Sequence, residues 1–487
     1  MQTESFDLLV IGGGITGAGV ALDAASRGLK VALVEKGDFA LGTSSKSTKL
    51  IHGGLRYLKQ FEIGLVREVG QERALIHQLA PHLVIPEKML LPLIKGGTFG
   101  KWATAIGLYT YDFLAGVSGK DKFKMYDKEE TLELEPLLPK DRTLGSGLYA
   151  EYRTDDARLT IEVMKTAARY GAIPMNYVLA EKLIYDGEKV AGAQCKDQLT
   201  GEEWTISAKM VVNATGPWSD ILRKQDRSLT DKRMFLTKGV HLVFLREKLP
   251  IRHAIYFDVD DGRMIFAIPR QGTVYVGTTD TPYAGDLDDI RVEEADITYL
   301  LDAVHGMFPT VQLGAKDIVA SWAGVRPLIY EAGKKASEIS RKDEIFESES
   351  GLLTIAGGKL TGYRVMALKI VDRVCKRMEQ RFDLEFGDCQ TKTIALTENP
   401  FESYQAVLDY EADLAKVLTE NGMDAKWATY LVQNYGRQTD EILAAMKEYS
   451  PDAMIQAERE FAKAKEWAIE EDDFWERRTG RKLFWSV

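Results

Sequence analysis

The sequence predicts an α/β protein with a β-rich insertion and an all-α C-terminal domain. Three observations lead to this fold class. An apolar strand runs into closely spaced glycines near the N-terminus, strand-like stretches lie between residues 235 and 282, and helical spacing of Ala, Glu, Lys and aromatic residues begins after about residue 385. With 487 residues, 45% of them hydrophobic, the chain is long enough to bury the cores of two or three domains.

The N-terminal stretch has the pattern of a βαβ unit. Residues 6–11, FDLLVI, predict a buried strand, and the small and apolar residues of ITGAGVALDAASRG predict a helix that ends at Gly28. KVALVEK then predicts a second strand. A unit of this kind is the first half of a doubly wound sheet.

Gly12, Gly14 and Gly17 form the pattern G-x-G-x-x-G between that strand and helix. Glycines at these positions permit a tight turn, let a pyrophosphate approach the backbone and allow the helix to pack on the strand. Glu35 ends the second strand, close to the roughly 20-residue distance at which an acidic residue meets a ribose hydroxyl. The sequence therefore predicts a Rossmann-like dinucleotide-binding domain, with FAD and NAD both open as the cofactor.

The following elements are predicted from local patterns. Residues 156–171 predict a helix that Asp155 or Asp156 caps. LGSGLYA at 144–150 also has spaced glycines, but it follows polar residues and predicts a turn. GVHLVFL, RMIFAIPR and TVYVGTTD predict strands of a sheet-rich insertion, and the segment 389–401 predicts a linker into the helical C-terminal domain.

Charge and cysteine content exclude several classes of protein. The net charge of −10 disfavours a nucleic-acid partner. Cys195, Cys375 and Cys389 lack metal-ligand spacing, so we expect no metal site and a reducing compartment. The N-terminus lacks signal-peptide features, and no stretch reaches the roughly 18 to 20 apolar residues of a membrane span. The apolar, aromatic segment 99–117 predicts either a buried helix or a patch that rests on a membrane surface.

Two later stretches also place small residues at the end of a predicted strand. AKMVVNATGPWSD, at 208–220, runs into Ala214, Thr215 and Gly216. GLLTIAGGKLTGYRVMALKIVDRV, at 351–374, runs into a second glycine-led helix start. Open α/β sheets bind ligands at such strand ends, and a second helix N-terminus there would suit the negative charge of a reduced flavin.

Taken together, these motifs resemble the FAD-dependent glycerol-3-phosphate dehydrogenases, a branch of the glucose-oxidoreductase-like and amino-acid-oxidase-like flavoproteins. The motifs that carry the resemblance span nearly the whole chain: DLLVIGGGITGAGVALDAASRGLKVALVEKGDFALGTSSKSTKLIHGGLRYL, DDARLT, NATGPW, GTTDTPY, AGVRPL, GGKLTGYR and DFWERRTGRKL. The chain is more similar to the respiratory dehydrogenase than to the peroxide-forming oxidase. The resemblance implies an FAD-binding domain over residues 1–385, an interleaved β-rich substrate part at about 60–150 and 235–345, and a helical C-terminal domain over 386–487.

The resemblance implies FAD as the cofactor, and we expect it to be noncovalent because no cysteine lies near the implied flavin contacts. The implied cofactor-binding residues are Gly12, Gly13, Gly14, Thr16, Gly17, Glu35, Lys36, Thr43, Ser44, Ser45, Ser47, Lys49, Ala214, Thr215, Gly216, Trp218, Gly357, Gly358, Lys359, Leu360 and Thr361.

A phosphorylated substrate needs fixed positive donors, because its phosphate carries about −1.5 to −2 charges at neutral pH. The resemblance implies that Arg326, Arg341 and Lys359 supply them, and that Arg56 and Tyr57 also face the substrate. Guanidinium groups suit this task since they bind phosphate oxygens in a planar fork.

The resemblance implies oxidation of sn-glycerol 3-phosphate to dihydroxyacetone phosphate, with hydride passing from C2 to flavin N5. His52 or His241 would remove the C2 hydroxyl proton, and Arg326 would hold the phosphate and the developing carbonyl oxygen. Electrons would pass to a membrane quinone, so we expect a cytoplasmic protein attached peripherally to the inner face of the cell membrane through the segment 99–117. Its aromatic residues Trp102, Tyr109, Tyr111 and Phe113 suit a membrane interface. The resemblance leaves a homodimer open.

Two alternative functions stay open at this point. A related flavin oxidase could act on an amino acid such as glycine or sarcosine, which would need a carboxylate clamp and could spare Arg341 and Lys359. A non-catalytic flavin-binding scaffold would need no substrate at all, and the acidic balance argues against an RNA-binding form of it.

Overall fold

The computed structural model describes residues 5–51, 63–97, 100–115, 122–330 and 343–485, and two β-sheets organise them. The strands are β1 (Ser5–Ile11), β2 (Val31–Val34), β3 (Leu50–Ile51), β4 (Ile85–Ile94), β5 (Lys124–Tyr126), β6 (Thr143–Arg153), β7 (Ile173–Met175), β8 (Val178–Asp186), β9 (Lys189–Asp197), β10 (Glu203–Asn213), β11 (Met234–Leu245), β12 (Ala254–Asp258), β13 (Met264–Arg270), β14 (Thr273–Gly277), β15 (Thr281–Pro282), β16 (Ile318–Ile329), β17 (Asp343–Glu347) and β18 (Leu353–Gly357).

Helices cover the sheets and form most of the C-terminal region. The α-helices are α1 (Ile15–Ser26), α2 (Ile63–Leu79), α3 (Lys101–Ala115), α4 (Lys128–Leu134), α5 (Asp156–Arg169), α6 (Ser219–Gln225), α7 (Glu294–Met307), α8 (Tyr363–Phe382), α9 (Tyr404–Glu420), α10 (Lys426–Tyr435), α11 (Thr439–Ala445), α12 (Pro451–Lys465) and α13 (Arg481–Phe484).

The first sheet contains the predicted βαβ unit. Its order is β17-β18-β10-β1-β2-β7, and β9 and β8 continue from β10 as an antiparallel pair. The strands from β18 to β7 are parallel, as a Rossmann-like domain requires. Both faces of the sheet are buried. Leu8 and Val10 of β1 pack toward α1, α5 and α8, whereas Leu9 and Ile11 pack toward β8 and β9.

The second sheet is built from two separate stretches of chain. Its order is β15-β11-β14-β13-β12-β4-β6-β3, with β16 paired to β11 and β5 to β6. All of these pairs are antiparallel apart from β12 and β4. The predicted α/β class with an inserted β-rich part and a helical C-terminal region is therefore confirmed. The domain limits given above stay a prediction.

One local prediction is wrong. Residues 144–150 lie inside β6 and not in a turn. The glycines that suggested a turn serve packing, because a Cβ atom at Gly147 would lie 2.5 Å from Leu108 Cδ1 of α3. The helix that follows begins as predicted: the carboxylate of Asp155 accepts a hydrogen bond from the backbone N–H of Arg158.

The segment 99–117 contains α3, which is amphipathic across its described positions. Leu108 and Tyr111 are buried, whereas Ile106 and Tyr109 are each 66% exposed. Among the described residues, no helix combines the length and the apolar character that crossing a membrane requires.

Candidate active site

A cavity of about 470 Å³ lies where the carboxyl ends of β1, β10 and β18 meet β11 and β16 of the second sheet. The three parallel strands end at the same edge of the first sheet because their register aligns Ile11 with Asn213 and Asn213 with Thr354. The predicted residues that line the cavity are Gly12, Gly14, Thr16, Glu35, Lys36, Thr43, Ser44, Ser47, Ala214, Thr215, Gly216, Trp218, His241, Arg326, Gly357, Gly358, Lys359, Leu360 and Thr361. Ligands of open α/β sheets bind at this edge.

The glycine loop fits a dinucleotide. Gly12 has φ of +114°, and a Cβ atom there would lie 2.6 Å from the carbonyl oxygen of Ala214. A Cβ atom at Gly17 would lie 1.8 Å from the carbonyl oxygen of Gly12, so helix and strand can approach only without side chains. The first turn of α1 is fully described and has no acidic residue, which leaves its N-terminus positive for a phosphate.

Glu35 stabilises this loop as well as lining the cavity. Its Oε2 accepts a hydrogen bond of 2.7 Å from the N–H of Gly13, and its Oε1 accepts one of 3.1 Å from the N–H of Gly37. Burial raises the pKa of Glu35, although the two N–H groups and Lys36 favour its charged form. Gly13 itself does not line the cavity, because its N–H donates to the carboxylate and its Cα faces Phe39.

Residues 41–48 form a loop along one side of the cavity. Ser44 Oγ accepts a hydrogen bond of 2.9 Å from the N–H of Ile15, which joins the loop to the start of α1. Thr43 Oγ1 donates to the carbonyl oxygen of Val325 at 2.7 Å, which joins it to β16. The loop therefore connects the start of α1 to the strand that carries Arg326.

Two predicted cofactor residues point elsewhere. The Ser45 hydroxyl lies within hydrogen-bond distance of the carbonyl oxygens of Leu41 and Gly42. Lys49 is 1% exposed, and its Nζ donates to Asp156 Oδ1 at 2.5 Å. Lys49 therefore does not make the cofactor contact predicted for it, because its buried ammonium is bound by carboxylates at the start of α5 and its backbone N–H donates to Ser47 Oγ at 3.0 Å.

Lys36 and Trp218 close one end of the cavity together with Asp288, a residue that the sequence analysis does not single out. The Lys36 ammonium lies 4.4 Å from the centre of the Trp218 ring and pairs with Asp288. The indole N–H of Trp218 donates to Asp288 Oδ1 at 3.1 Å. A carboxylate 70 residues away in the chain gives no local signal of this contact.

His241 is held rigidly between two strands. It is 1% exposed, its ring stacks on Trp322 at 4.7 Å, and a Cβ atom at Gly277 on its other side would lie 2.2 Å from the ring. Its Nε2 lies 3.0 Å from Thr48 Oγ1, and its Nδ1 has no hydrogen-bond partner among the described residues. Burial lowers the pKa of His241 well below its usual value, and the charges of Arg326 and Lys49 add to this effect. The imidazole is therefore neutral at pH 7.

Arg326 lies on the same wall of the cavity, flat against Gly239. Its Nη2 donates to Thr278 Oγ1 at 2.8 Å. Its Nη1 lies 3.2 Å from the carbonyl oxygen of Thr279 and 3.3 Å from Asp280 Oδ1. The motif GTTDTPY contributes these partners, so it orients the guanidinium, a role that the sequence analysis does not assign.

Four further predicted site residues lie outside the described residues. They are His52, Arg56, Tyr57 and Arg341.

The lowered pKa of His241 leads to a prediction about stability. As the pH falls below about 6.5, the unfolded chain takes up a proton that the folded protein excludes, so the free energy of unfolding should fall. We expect His241→Gln to flatten this dependence by up to about 1.4 kcal/mol per pH unit. Urea unfolding of both proteins between pH 5 and 7.5 measures the difference. Equal slopes in the two proteins would contradict a depressed pKa.

Comparison with known proteins places these features in one family. The family model "DAO: FAD dependent oxidoreductase" matches residues 7–364. The aerobic glycerol-3-phosphate dehydrogenase of Bacillus subtilis (strain 168) is 50% identical over 491 residues, which cover 99% of this chain and 88% of that protein.

Solved structures agree with this assignment. The X-ray structure of the glycerol-3-phosphate dehydrogenase from Bacillus halodurans complexed with FAD matches with a TM-score of 0.83 at 42% identity, covering 100% of this chain and 88% of that one. Glycine oxidase from Geobacillus kaustophilus matches with a TM-score of 0.58 at 22% identity, covering 82% and 100%, so that likeness extends to the fold alone. The chain therefore belongs to the FAD-dependent oxidoreductases, in the branch of the aerobic glycerol-3-phosphate dehydrogenases.

Proposed function

We propose that the chain oxidises sn-glycerol 3-phosphate to dihydroxyacetone phosphate with noncovalent FAD as its cofactor. The observation that carries the proposal is that His241 and Arg326 line the same cavity as the glycine-led ends of β1, β10 and β18. A base and a cation beside a nucleotide site are what the oxidation of a phosphorylated secondary alcohol needs. The Bacillus relatives carry this activity in their names.

FAD, when bound, supplies the acceptor for the hydride that leaves C2 of the substrate. Gly12 and Gly14, Ser44, Trp218 and Gly357 line the cavity and would hold it. The donor set is chemically suitable, since backbone N–H groups and hydroxyls bind phosphates while Glu35 suits a ribose hydroxyl.

We propose that His241 accepts the proton of the C2 hydroxyl. Its neutral imidazole is ready to act as a base without first losing a proton. Packing between Trp322 and Gly277 fixes the ring, so little reorganisation is needed at the moment of transfer. His52 has the same proposed role, and a comparison of both variants decides between them.

Arg326, Lys359 and Arg341 are the cations proposed to bind the phosphate, and Arg56 and Tyr57 are proposed to face the substrate. The role of Arg326 is supported by its contacts. Thr278 and Asp280 hold its guanidinium in one orientation, and the residue lines the cavity. A guanidinium has five N–H donors in a fixed fork, so one group can bind two phosphate oxygens.

The substrate assignment is tested by turnover with an artificial electron acceptor. We expect sn-glycerol 3-phosphate to exceed glycerol by about 100-fold or more in kcat/KM, because each charge-assisted hydrogen bond to the phosphate contributes about 1.5–3 kcal/mol. Glycine and sarcosine serve as controls for an amino-acid oxidase. Turnover of either amino acid above that of the phosphate ester would overturn the proposal, and the absence of turnover with every compound would support the scaffold alternative.

We further propose that electrons leave to a membrane quinone and that α3 contacts the inner face of the cell membrane. The support is its exposed apolar face, where Ile106 and Tyr109 are each 66% exposed. The predicted interfacial role of Tyr111 is wrong, because its hydroxyl is buried and donates to Glu151 Oε1 at 2.6 Å. The side chains of Trp102 and Phe113 lie outside the described residues.

Flotation with anionic liposomes tests this surface. We expect Ile106→Glu and Tyr109→Glu together to reduce the floated fraction by about ten-fold, since each charge opposes burial at the interface. Leu199→Glu is the matched control, because Leu199 is an exposed apolar residue, 48% accessible, at the tip of the β9–β10 hairpin. Equal flotation of the double variant and the control would place the membrane contact elsewhere.

A further inference from the structure

A short segment of the C-terminal region contacts the loop that borders the cavity. We call residues 466–478 the C-terminal segment and residues 36–49 the cofactor loop. Part of the cofactor loop lines the cavity, whereas the C-terminal segment lies behind it, outside the cavity lining. The contacts between them are long-range, and they join the two ends of the chain.

Asp38 of the cofactor loop is bound by two arginines of the C-terminal segment. Arg478 donates to both carboxylate oxygens of Asp38 at 2.7 Å, and the Arg477 Nε donates to one of them at 2.5 Å. The Asp38 and Arg478 side chains are 0% exposed. Asp473, which accepts from Arg477 at 2.6 Å, balances the second positive charge. Because all of these charges are paired, the group is stable when buried but would tolerate the loss of a partner poorly.

Phe39 and Ala40, which follow Asp38, connect the buried ion pairs of Asp38 to the glycine loop. Phe39 packs edge-on against Trp467 with ring centres 5.5 Å apart, and its Cδ1 atom would lie 2.7 Å from a Cβ atom at Gly13. The N–H of Ala40 donates to the carbonyl oxygen of Gly13 at 3.0 Å. Asp38, Phe39 and Ala40 are consecutive, so the position of Asp38 determines the position of Gly13 in the glycine loop.

A second attachment lies farther along the loop. Lys46 lines the cavity, and its ammonium pairs with Glu476 of the C-terminal segment. A Cβ atom at Gly324 would lie 2.4 Å from Lys46 Cβ, so the lysine stem also packs on β16 next to Arg326. The C-terminal segment therefore contacts the cofactor loop at two places. One is Asp38, close to the glycine loop, and the other is Lys46, close to Arg326.

We propose that the C-terminal segment positions the cofactor loop for FAD, and that Asp38, Arg477, Arg478 and the pair Lys46–Glu476 are the positioning residues. Asp38, Glu476, Arg477 and Arg478 lie outside the cavity lining, so they act through the loop. The helical C-terminal region thus has a part in cofactor retention. This inference depends on FAD binding and is independent of the substrate and of the quinone.

The rate of FAD release from the holoenzyme tests the inference, followed by the rise of flavin fluorescence after dilution. We expect Arg478→Gln to release FAD at least about ten-fold faster than the unchanged protein and to alter the visible circular dichroism of the bound flavin. Arg481→Gln is the matched control. Arg481 forms a comparable buried pair with Glu458 at 2.5 Å, but Glu458 and Tyr430, which accept its hydrogen bonds, both lie in the helical C-terminal region.

Thermal unfolding separates positioning from general destabilisation. We expect Arg481→Gln to lower the Tm by as much as Arg478→Gln while FAD release stays within about two-fold of the unchanged protein. Equal acceleration in both variants at an equal loss of Tm, or normal release in Arg478→Gln, would overturn the inference. Should Arg478→Gln fail to give folded holoenzyme, Glu476→Gln decides: release about three-fold faster supports positioning, and unchanged release rejects it.

Discussion

Replacement of His241 by glutamine should slow anaerobic flavin reduction by sn-glycerol 3-phosphate about 10²- to 10⁴-fold, the range that a positioned general base contributes. Glutamine retains a group that can hydrogen-bond to Thr48 and fits beside Trp322. FAD content and substrate binding should therefore change by only a few fold. Stopped-flow absorbance at the oxidised flavin band gives the reduction rate.

His253→Gln is the control for this experiment. His253 lies immediately before β12 and has a carboxylate neighbour, Glu135 at 2.9 Å, but it does not line the cavity. Its variant should reduce flavin at the normal rate. If His241→Gln also reduces flavin normally, the base is not His241, and His52→Gln becomes the decisive variant. Normal reduction in both would remove the proposal that a histidine is the base.

The second large effect is expected at Arg326. Arg326→Lys keeps the charge but loses the planar fork, so kcat/KM for sn-glycerol 3-phosphate should fall about 10²- to 10³-fold, as when one donor to a developing oxyanion is removed. Lysine also lacks the paired N–H groups that donate to Thr278 and contact Asp280, so the remaining cation should be less well oriented. Steady-state kinetics across substrate concentrations separates the change in kcat from that in KM.

Arg263→Lys provides the matched control for the charge-conserving change. Arg263 ends the turn between β12 and β13 and pairs with Asp261, and it does not line the cavity. Its variant should retain full activity. An Arg326→Lys protein that keeps wild-type kcat/KM would show that the guanidinium fork is not needed for the phosphate or for the carbonyl oxygen.

Local sequence patterns predict the glycine positions at which strand, turn and helix meet. Gly12 and Gly17 have to be glycine because strand, turn and helix meet there without space for Cβ, and such spacing is visible in a short stretch of sequence. Glu35 is identified in the same way, from its spacing after the glycines along the chain. These residues depend on contacts within one βαβ unit.

Long-range contacts account for what the sequence does not predict. Lys49 looks like a cofactor ligand in a polar run, but its partner Asp156 is 107 residues away and buries it. Gly147 looks like a turn residue until the packing of Leu108 from α3 explains it. Tyr111 looks suited to a membrane interface, yet Arg73 and Glu151 bind its hydroxyl inside the protein. In each case a residue distant in sequence decides the role.

The role proposed for the C-terminal region in FAD binding could not be predicted from local sequence patterns either. Helical periodicity predicts its class but gives no reason for it to affect FAD, because the arginines of DFWERRTGRKL meet Asp38 only in the folded chain. Ion pairs between the two ends of a chain have no signature in local spacing.

We expect the chain to bind FAD and to reduce it with sn-glycerol 3-phosphate. The visible spectrum of the purified protein, recorded without oxygen before and after addition of this substrate, measures both properties. Oxidised flavin bands should disappear with sn-glycerol 3-phosphate and persist with glycerol, glycine or sarcosine. Bands that persist with sn-glycerol 3-phosphate, or that disappear with an amino acid instead, would contradict it.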